Sequence, residues 1–125
     1  MIIRDLSPSG VAAMARVDLA GLTEPPTSPL EEFDFHGCTC GVGAFVGRPP
    51  WERHNDGEEL LLVLSGTTSL TILQESGPET RVLGTGALAV VPRGRWHNND
   101  APEGVTLLYM TPSEGNEHSF TDPTG

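Results

Sequence analysis

Glu52, His54 and Glu59 fall close together in the stretch Trp51-Glu-Arg-His-Asn-Asp-Gly-Glu-Glu59. In an extended chain successive side chains leave by opposite faces, so Glu52 and His54 share one face. Asn55-Asp-Gly57 is a strong reversal signal, because these residue types accept the backbone angles of tight hairpin turns. Glu59 then opens a second strand and can lie across from His54. One hairpin thus gathers an imidazole and two carboxylates, donors suited to a divalent cation. Taken alone, the same residues also describe a polar hairpin tip with its side chains in water.

A second stretch, Gly86-Ala-Leu-Ala-Val-Val-Pro-Arg-Gly-Arg-Trp-His97, ends in one histidine. Ala87 to Val91 read as a strand threading a crowded interior. Pro92-Arg-Gly94 reads as a rigid turn that re-aims the chain so that His97 points back inward. A histidine at such a place serves as a hydrogen-bonded structural residue as readily as a ligand. Two such stretches in one short chain shift the reading towards a shared site.

The elements that must position these residues are short. From Phe33 onward, apolar or alternating runs are separated by turn signals: Phe33–Cys38, Cys40–Val46, Glu59–Leu64, Thr68–Leu73, Thr80–Leu83, Ala87–Val91 and Val105–Met110. The breaks include Gly47–Pro50, Ser65-Gly66, Ser76–Pro78, Gly84–Gly86 and Asn98–Glu103. This pattern predicts an all-β, antiparallel barrel or sandwich. Residues 1–32 form an irregular arm and loop, in which Val11–Met14 are a helical turn or an arm laid over the sheet. Glu24 to Pro29 are a proline-rich loop. The barrel is expected over 33–112, and the polar tail 113–125 is expected frayed or surface-laid. Leu60–Leu64 is apolar on both faces, so its outer face needs cover.

Composition narrows the function classes. The chain has 125 residues, one domain's worth, with 15 Gly and 11 Pro. Its net charge of −10 repels polyanions, so nucleic acid is a poor partner. All seven basic residues are arginine, which excludes Schiff-base chemistry on a lysine. Arg48, Arg53, Arg93 and Arg95 lie beside the two stretches above; they are surface charges or a positive patch that receives an anionic group. No apolar run approaches a membrane span, and Arg4 and Asp5 come too early for a secretion signal. Cys38 and Cys40 read as reduced thiols in a cytoplasmic protein. Trp51, Trp96 and Tyr109 could line a pocket mouth or pack in the core or an interface. His36 and His118 have no assigned role.

The two stretches together resemble the cupins. The first cupin motif ends in a histidine, a short gap, a glutamate, six residues and a glycine; here these are His54, Glu59 and Gly66. The second is matched by Gly86, Pro92, Gly94 and His97 at the family spacing. The resemblance covers roughly Cys40 to Met110. It implies a jelly-roll barrel, a double-stranded β-helix, with one divalent metal (Fe, Mn, Zn or Ni) in its mouth. His54, Glu59 and His97 are the implied ligands. Three departures stand out. Glu52 occupies a position where a histidine is common. Gly47 is separated from it by four residues instead of five. Ala101 stands where an asparagine often trails the second motif. With Glu52 as a ligand, a divalent site is neutral rather than +1, which favours a harder metal. Without it, two histidines and one carboxylate form the facial set of non-haem iron oxygenases.

The expected function is therefore a metal-dependent enzyme acting on a small organic molecule, with a lean towards dioxygenase chemistry. Glu52 is a fourth ligand or proton acceptor, Arg53 or Arg95 orients a substrate carboxylate, and Tyr109 is a further candidate. Isomerases, cyclases and decarboxylases share the fold. The competing classes are a non-catalytic ligand-binding or sensing module, and a metal-free barrel in which the same residues form a hydrogen-bond network. A homodimer formed through the outer face of Leu60–Leu64 is expected.

Overall fold

The computed structural model of the chain describes residues 1–21 and 27–124. The loop expected across Glu24–Pro29 lies in part outside these residues. The described residues form one helix, α1 (Pro8–Ala12), and ten strands: β1 (Val17–Asp18), β2 (Phe33–Phe35), β3 (Cys38–Gly47), β4 (Trp51–His54), β5 (Glu59–Gly66), β6 (Thr68–Gln74), β7 (Gly77–Leu83), β8 (Leu88–Val91), β9 (His97–Pro112) and β10 (Asn116–Ser119). This is the all-β architecture expected from the short strands and turns, and it matches a double-stranded β-helix.

The long strand β9 organises the barrel. Its first part pairs with β6 (Ile72 opposite His97) and with β4 (Glu52 opposite His97). Its second part runs between β3 and β5, with Tyr109 opposite both Gly41 and Leu61. The break expected over Asn98–Glu103 is therefore not a break. Those residues carry the strand from one sheet to the other, and Ala101 is completely buried at the crossing. The polar run misleads because its side chains bond across strands: Asn98 Nδ2 donates to the Pro49 carbonyl (2.7 Å), and Thr68 Oγ1 donates to Asn99 Oδ1 (3.1 Å).

Other boundaries also differ from expectation. The run Phe33–Cys38 is two strands of a hairpin, reversed at His36-Gly37, where both residues hold positive φ angles (54° and 79°). Gly37 adopts that conformation freely, which is what lets so short a loop close. The arm is more regular than expected. Ser7 caps α1 by accepting from the Gly10 N–H, and β1 adds to β3 in the one parallel pairing among the described residues. Val11 and Leu19 of the arm are buried.

The core consists of Leu19, Phe45, Leu61, Val63, Leu70, Val91, Ala101, Val105 and Leu107. β5 alternates as its sequence requires, with Glu59, Leu61 and Val63 inward and Leu60 and Leu62 outward. β8 departs from its reading as an interior strand. Only Val91 is fully buried, while Leu88 and Val90 are 59% and 56% exposed opposite Leu62 and Leu60. The result is an outward apolar face across β8 and β5.

Candidate metal centre

Four side chains meet at one end of the barrel: Glu52, His54, Glu59 and His97 each offer a ligand atom within 4.8 Å of the others. Local structure explains the convergence. β4 alternates, so Glu52 and His54 face inward and Arg53 faces out. The reversal after His54 returns the chain at Glu59, whose register partner on β8 is Val91. The chain then turns at Pro92–Gly94, and this turn docks on the end of β4. The Gly94 N–H donates to the His54 carbonyl (2.8 Å), and Arg93 Nε donates to the Asn55 carbonyl (2.6 Å). The turn thus ties the two motifs together and delivers His97 opposite Glu52.

His54, Glu59 and His97 are buried, and the Glu52 side chain is about a quarter exposed, at 26%. His97 Nε2 lies 3.0 Å from Glu59 Oε1, and His54 Nε2 lies 3.3 Å from Glu59 Oε2 and 3.4 Å from Glu52 Oε2. Burial alone would raise the Glu59 carboxyl; the two imidazoles outweigh it and hold it down to about 2. Glu52 is pushed up, first by burial and then by the negative charge of Glu59. Burial pulls His54 down, but Glu59, Asn116 and Glu52 together carry it above the ordinary histidine value.

The neighbours of the ligands orient them. Asn116 Nδ2 donates to the Pro112 carbonyl (2.7 Å), which can only accept, so the amide oxygen is the atom facing His54. His54 Nδ1, 2.8 Å from that oxygen, must therefore carry the proton. This leaves the Nε2 lone pair aimed between two carboxylates, buried and without a hydrogen-bond partner. In the neutral ring, that lone pair and the two carboxylates repel one another unless a cation or proton sits among them. The donor set fits a metal ion by that criterion. Thr111 Oγ1 meanwhile donates to Glu59 Oε2 and fixes the carboxylate.

The cluster opens into a cavity of about 350 Å³, walled by Phe45, Leu61 and Leu107, with Glu32, Tyr109 and His118 among its polar residues. Tyr109 is thus placed as a lining residue. Its ring lies over Gly41, where a β-carbon would collide with the phenol. Its hydroxyl is held protonated well above the usual phenol range by burial and by Glu32.

The arginines are not brought to the cavity. Arg53 pairs with Glu117 (2.7 Å) and stacks over Trp96 (4.7 Å to the ring centre); Arg95 pairs with Glu75 (3.4 Å) and Arg48 with Asp100 (3.0 Å). The role of Arg53 or Arg95 in orienting a substrate carboxylate has no support from this geometry, because strand alternation sends Arg53 outward. Trp51 lines a separate surface hollow with Leu19, Pro50 and Phe120. Cys38 and Cys40 are free thiols.

Sequence reasoning missed the tail. Asn116–Ser119 form β10 on the edge of β4, with Asn116 opposite His54 and His118 opposite Glu52. Of the two expectations for the tail, frayed or surface-laid, this segment follows the second, and His118 Nε2 stands 3.8 Å from Glu52 Oε1. The only signal was the two-residue spacing of Asn116 and His118, in a segment with no apolar periodicity.

Residues 45–111 match the Cupin domain family, and the chain belongs to that family. Solved structures agree on the fold. Protein NMB1881 from Neisseria meningitidis is 20% identical, with 84% of this chain and 94% of that one covered and a TM-score of 0.60. A hydroquinone 1,2-dioxygenase solved with Cd²⁺ and 4-hydroxybenzonitrile is 15% identical over 66% of this chain and 61% of that one, at a TM-score of 0.56. An oxalate oxidase is 22% identical over 68% of this chain and 46% of that one, at 0.58. No curated protein matches.

Proposed function

We propose that the chain is a metal-dependent cupin enzyme acting on a small organic molecule, with dioxygenase chemistry the favoured reaction. The observation that carries this reading is the His54 Nε2 lone pair, unpartnered and buried between two carboxylates at the floor of a cavity. His54, Glu59 and His97 would hold the ion, with Glu52 as fourth ligand or proton acceptor. Two carboxylates make the site neutral with a divalent ion and favour Fe(II) or Mn(II) over softer metals. Such an ion would polarise a substrate oxygen or activate O₂. The chain's own residues do the remaining work. Asn116 holds the His54 tautomer, Thr111 holds Glu59, and Phe45, Leu61 and Leu107 keep water from one side of the cavity. Glu52, turned partly into the cavity, is placed to take a proton from a bound hydroxyl. Tyr109 is placed to donate to a substrate oxygen.

The similar hydroquinone dioxygenase and oxalate oxidase lend the reading support as holders of oxidative chemistry on this fold. The barrel proper is taken as 33–112, with the arm 1–32 and the tail 113–125 completing its walls. Two copies are proposed to pair over Leu60, Leu62, Leu88 and Val90, in a cytoplasmic setting where Cys38 and Cys40 stay reduced.

The test is elemental analysis of protein purified without chelator or metal-affinity tag, followed by O₂ consumption over a substrate panel. About one equivalent of metal, lost in His97→Ala, is expected. Metal far below one equivalent and unchanged by that substitution overturns the reading.

A further inference from the structure

With the cavity as the substrate site of the proposed function, the charges around it bear on which molecules it admits. We infer that the cavity selects an uncharged, hydroxylated ring compound and turns away carboxylates. Among the described residues, three carboxylates line it, from Glu32, Glu52 and Glu59, beside the three histidines His54, His97 and His118, and no arginine does. The arginines nearest the site are committed elsewhere: Arg48 to Asp100, Arg53 to Glu117 and Trp96, Arg93 to the Asn55 carbonyl and Arg95 to Glu75. Arg4 and Arg16 bond to Glu31 and to Thr106 and Ser65, and Arg81 pairs with Glu79 on β7. The chain has no lysine, and the residues between Gly21 and Thr27 hold no basic side chain.

A divalent ion would neutralise Glu52 and Glu59 and leave the charge of Glu32 uncompensated at the rim. An anion entering the cleft meets that charge and a net −10 molecule, without the guanidinium fork that usually receives a carboxylate. A neutral molecule meets no such penalty. The apolar wall of Phe45, Leu61 and Leu107 accepts a ring face, and Tyr109 and Thr39 offer hydroxyls to its substituents. The volume of about 350 Å³ accommodates a hydroxylated ring compound together with its waters.

The experiment compares 4-hydroxybenzamide with 4-hydroxybenzoate, which match in size and differ by one charge. Binding to the full chain is measured by titration calorimetry at pH 7.5, in metal-free protein and in protein loaded with redox-silent Zn²⁺. The amide is expected to bind at least about fivefold more tightly in both forms, the scale of one like charge roughly 8 Å away across a cleft. The preference should shrink as salt rises, since screening relieves repulsion. It should also shrink in Glu32→Gln, a change at an exposed residue outside the metal cluster. Equal or tighter binding of the benzoate, a preference that salt and Glu32→Gln leave unmoved, or no binding of either probe to either form overturns the inference. Failure to take up Zn²⁺ would count against the metal reading alone, because the metal-free titration still ranks the two probes.

Discussion

Replacing Asn116 by alanine removes a side chain outside the four-residue donor set, yet it should weaken metal binding sharply. Asn116 bridges the Pro112 carbonyl and His54 Nδ1 at 2.7 and 2.8 Å, and the imidazole it holds is buried to 3% exposure. In Asn116→Ala the Nδ1 proton has no acceptor, so the ring either keeps an unsatisfied donor or changes tautomer and presents a proton to the metal. The first outcome costs about 1–3 kcal/mol of stability. Loss of such an orienting partner typically costs about 10–100-fold in metal affinity, or about 1.4–2.7 kcal/mol. Competition for Zn²⁺ or Mn²⁺ against a chromophoric chelator reads the affinity, and far-UV circular dichroism with a thermal melt reads the fold. Asn116→Asp restores an acceptor for Nδ1 but loses the bond to Pro112, so it should recover most of the affinity while remaining less stable. A folded Asn116→Ala protein that binds metal within twofold of the parent would refute the reasoning.

Gly41→Ala should destabilise the fold by about 1–3 kcal/mol, because the added carbon meets the Tyr109 ring and overpacks the cavity wall; a denaturant melt measures it. Leu88→Glu with Val90→Glu, both at exposed positions, should convert a dimer to a folded monomer in light scattering, and an unchanged mass would dismiss the proposed interface. Without metal, stability should peak near pH 4.5, because Glu52, pushed up by burial and by Glu59, costs stability as pH rises above that value. Glu59, held at about 2 against an ordinary 4.5, loses its contribution as pH falls through that range; His54, raised above 6.5, loses its contribution as pH rises past its folded value. Because metal binding requires the deprotonated imidazole, added Zn²⁺ should raise the melting temperature more at pH 8 than at pH 6. A metal-free melting temperature that climbs from pH 6.5 to 8.5 would contradict this assignment.

Much of the site was legible in the chain because its geometry is local. His54 and Glu59 are joined by one tight reversal, and Pro92–Gly94 sits a fixed distance before His97, so spacing alone carries them to one end of a barrel. The outward direction of Arg53 was equally open to strand alternation, since it lies between two inward residues. Three features were not legible. The polar residues Asn98 to Glu103 look like a loop until two different sheets supply partners for them, and only then do they continue β9. Leu88 and Val90 read as core until β8 proves to pair with β5 alone. Asn116 and His118 show no apolar rhythm. They join the centre because β4 leaves a free edge whose backbone groups bond a distant segment in register.

The sequence by itself therefore determined the donor set, the hairpin reversals and the class of fold, since each depends on residue type and short spacing. Tertiary structure decided the tautomer of His54, the absence of arginine from the cavity and the place of the tail. Those depend on which atoms far apart in the chain come within hydrogen-bonding reach, and no local pattern encodes that.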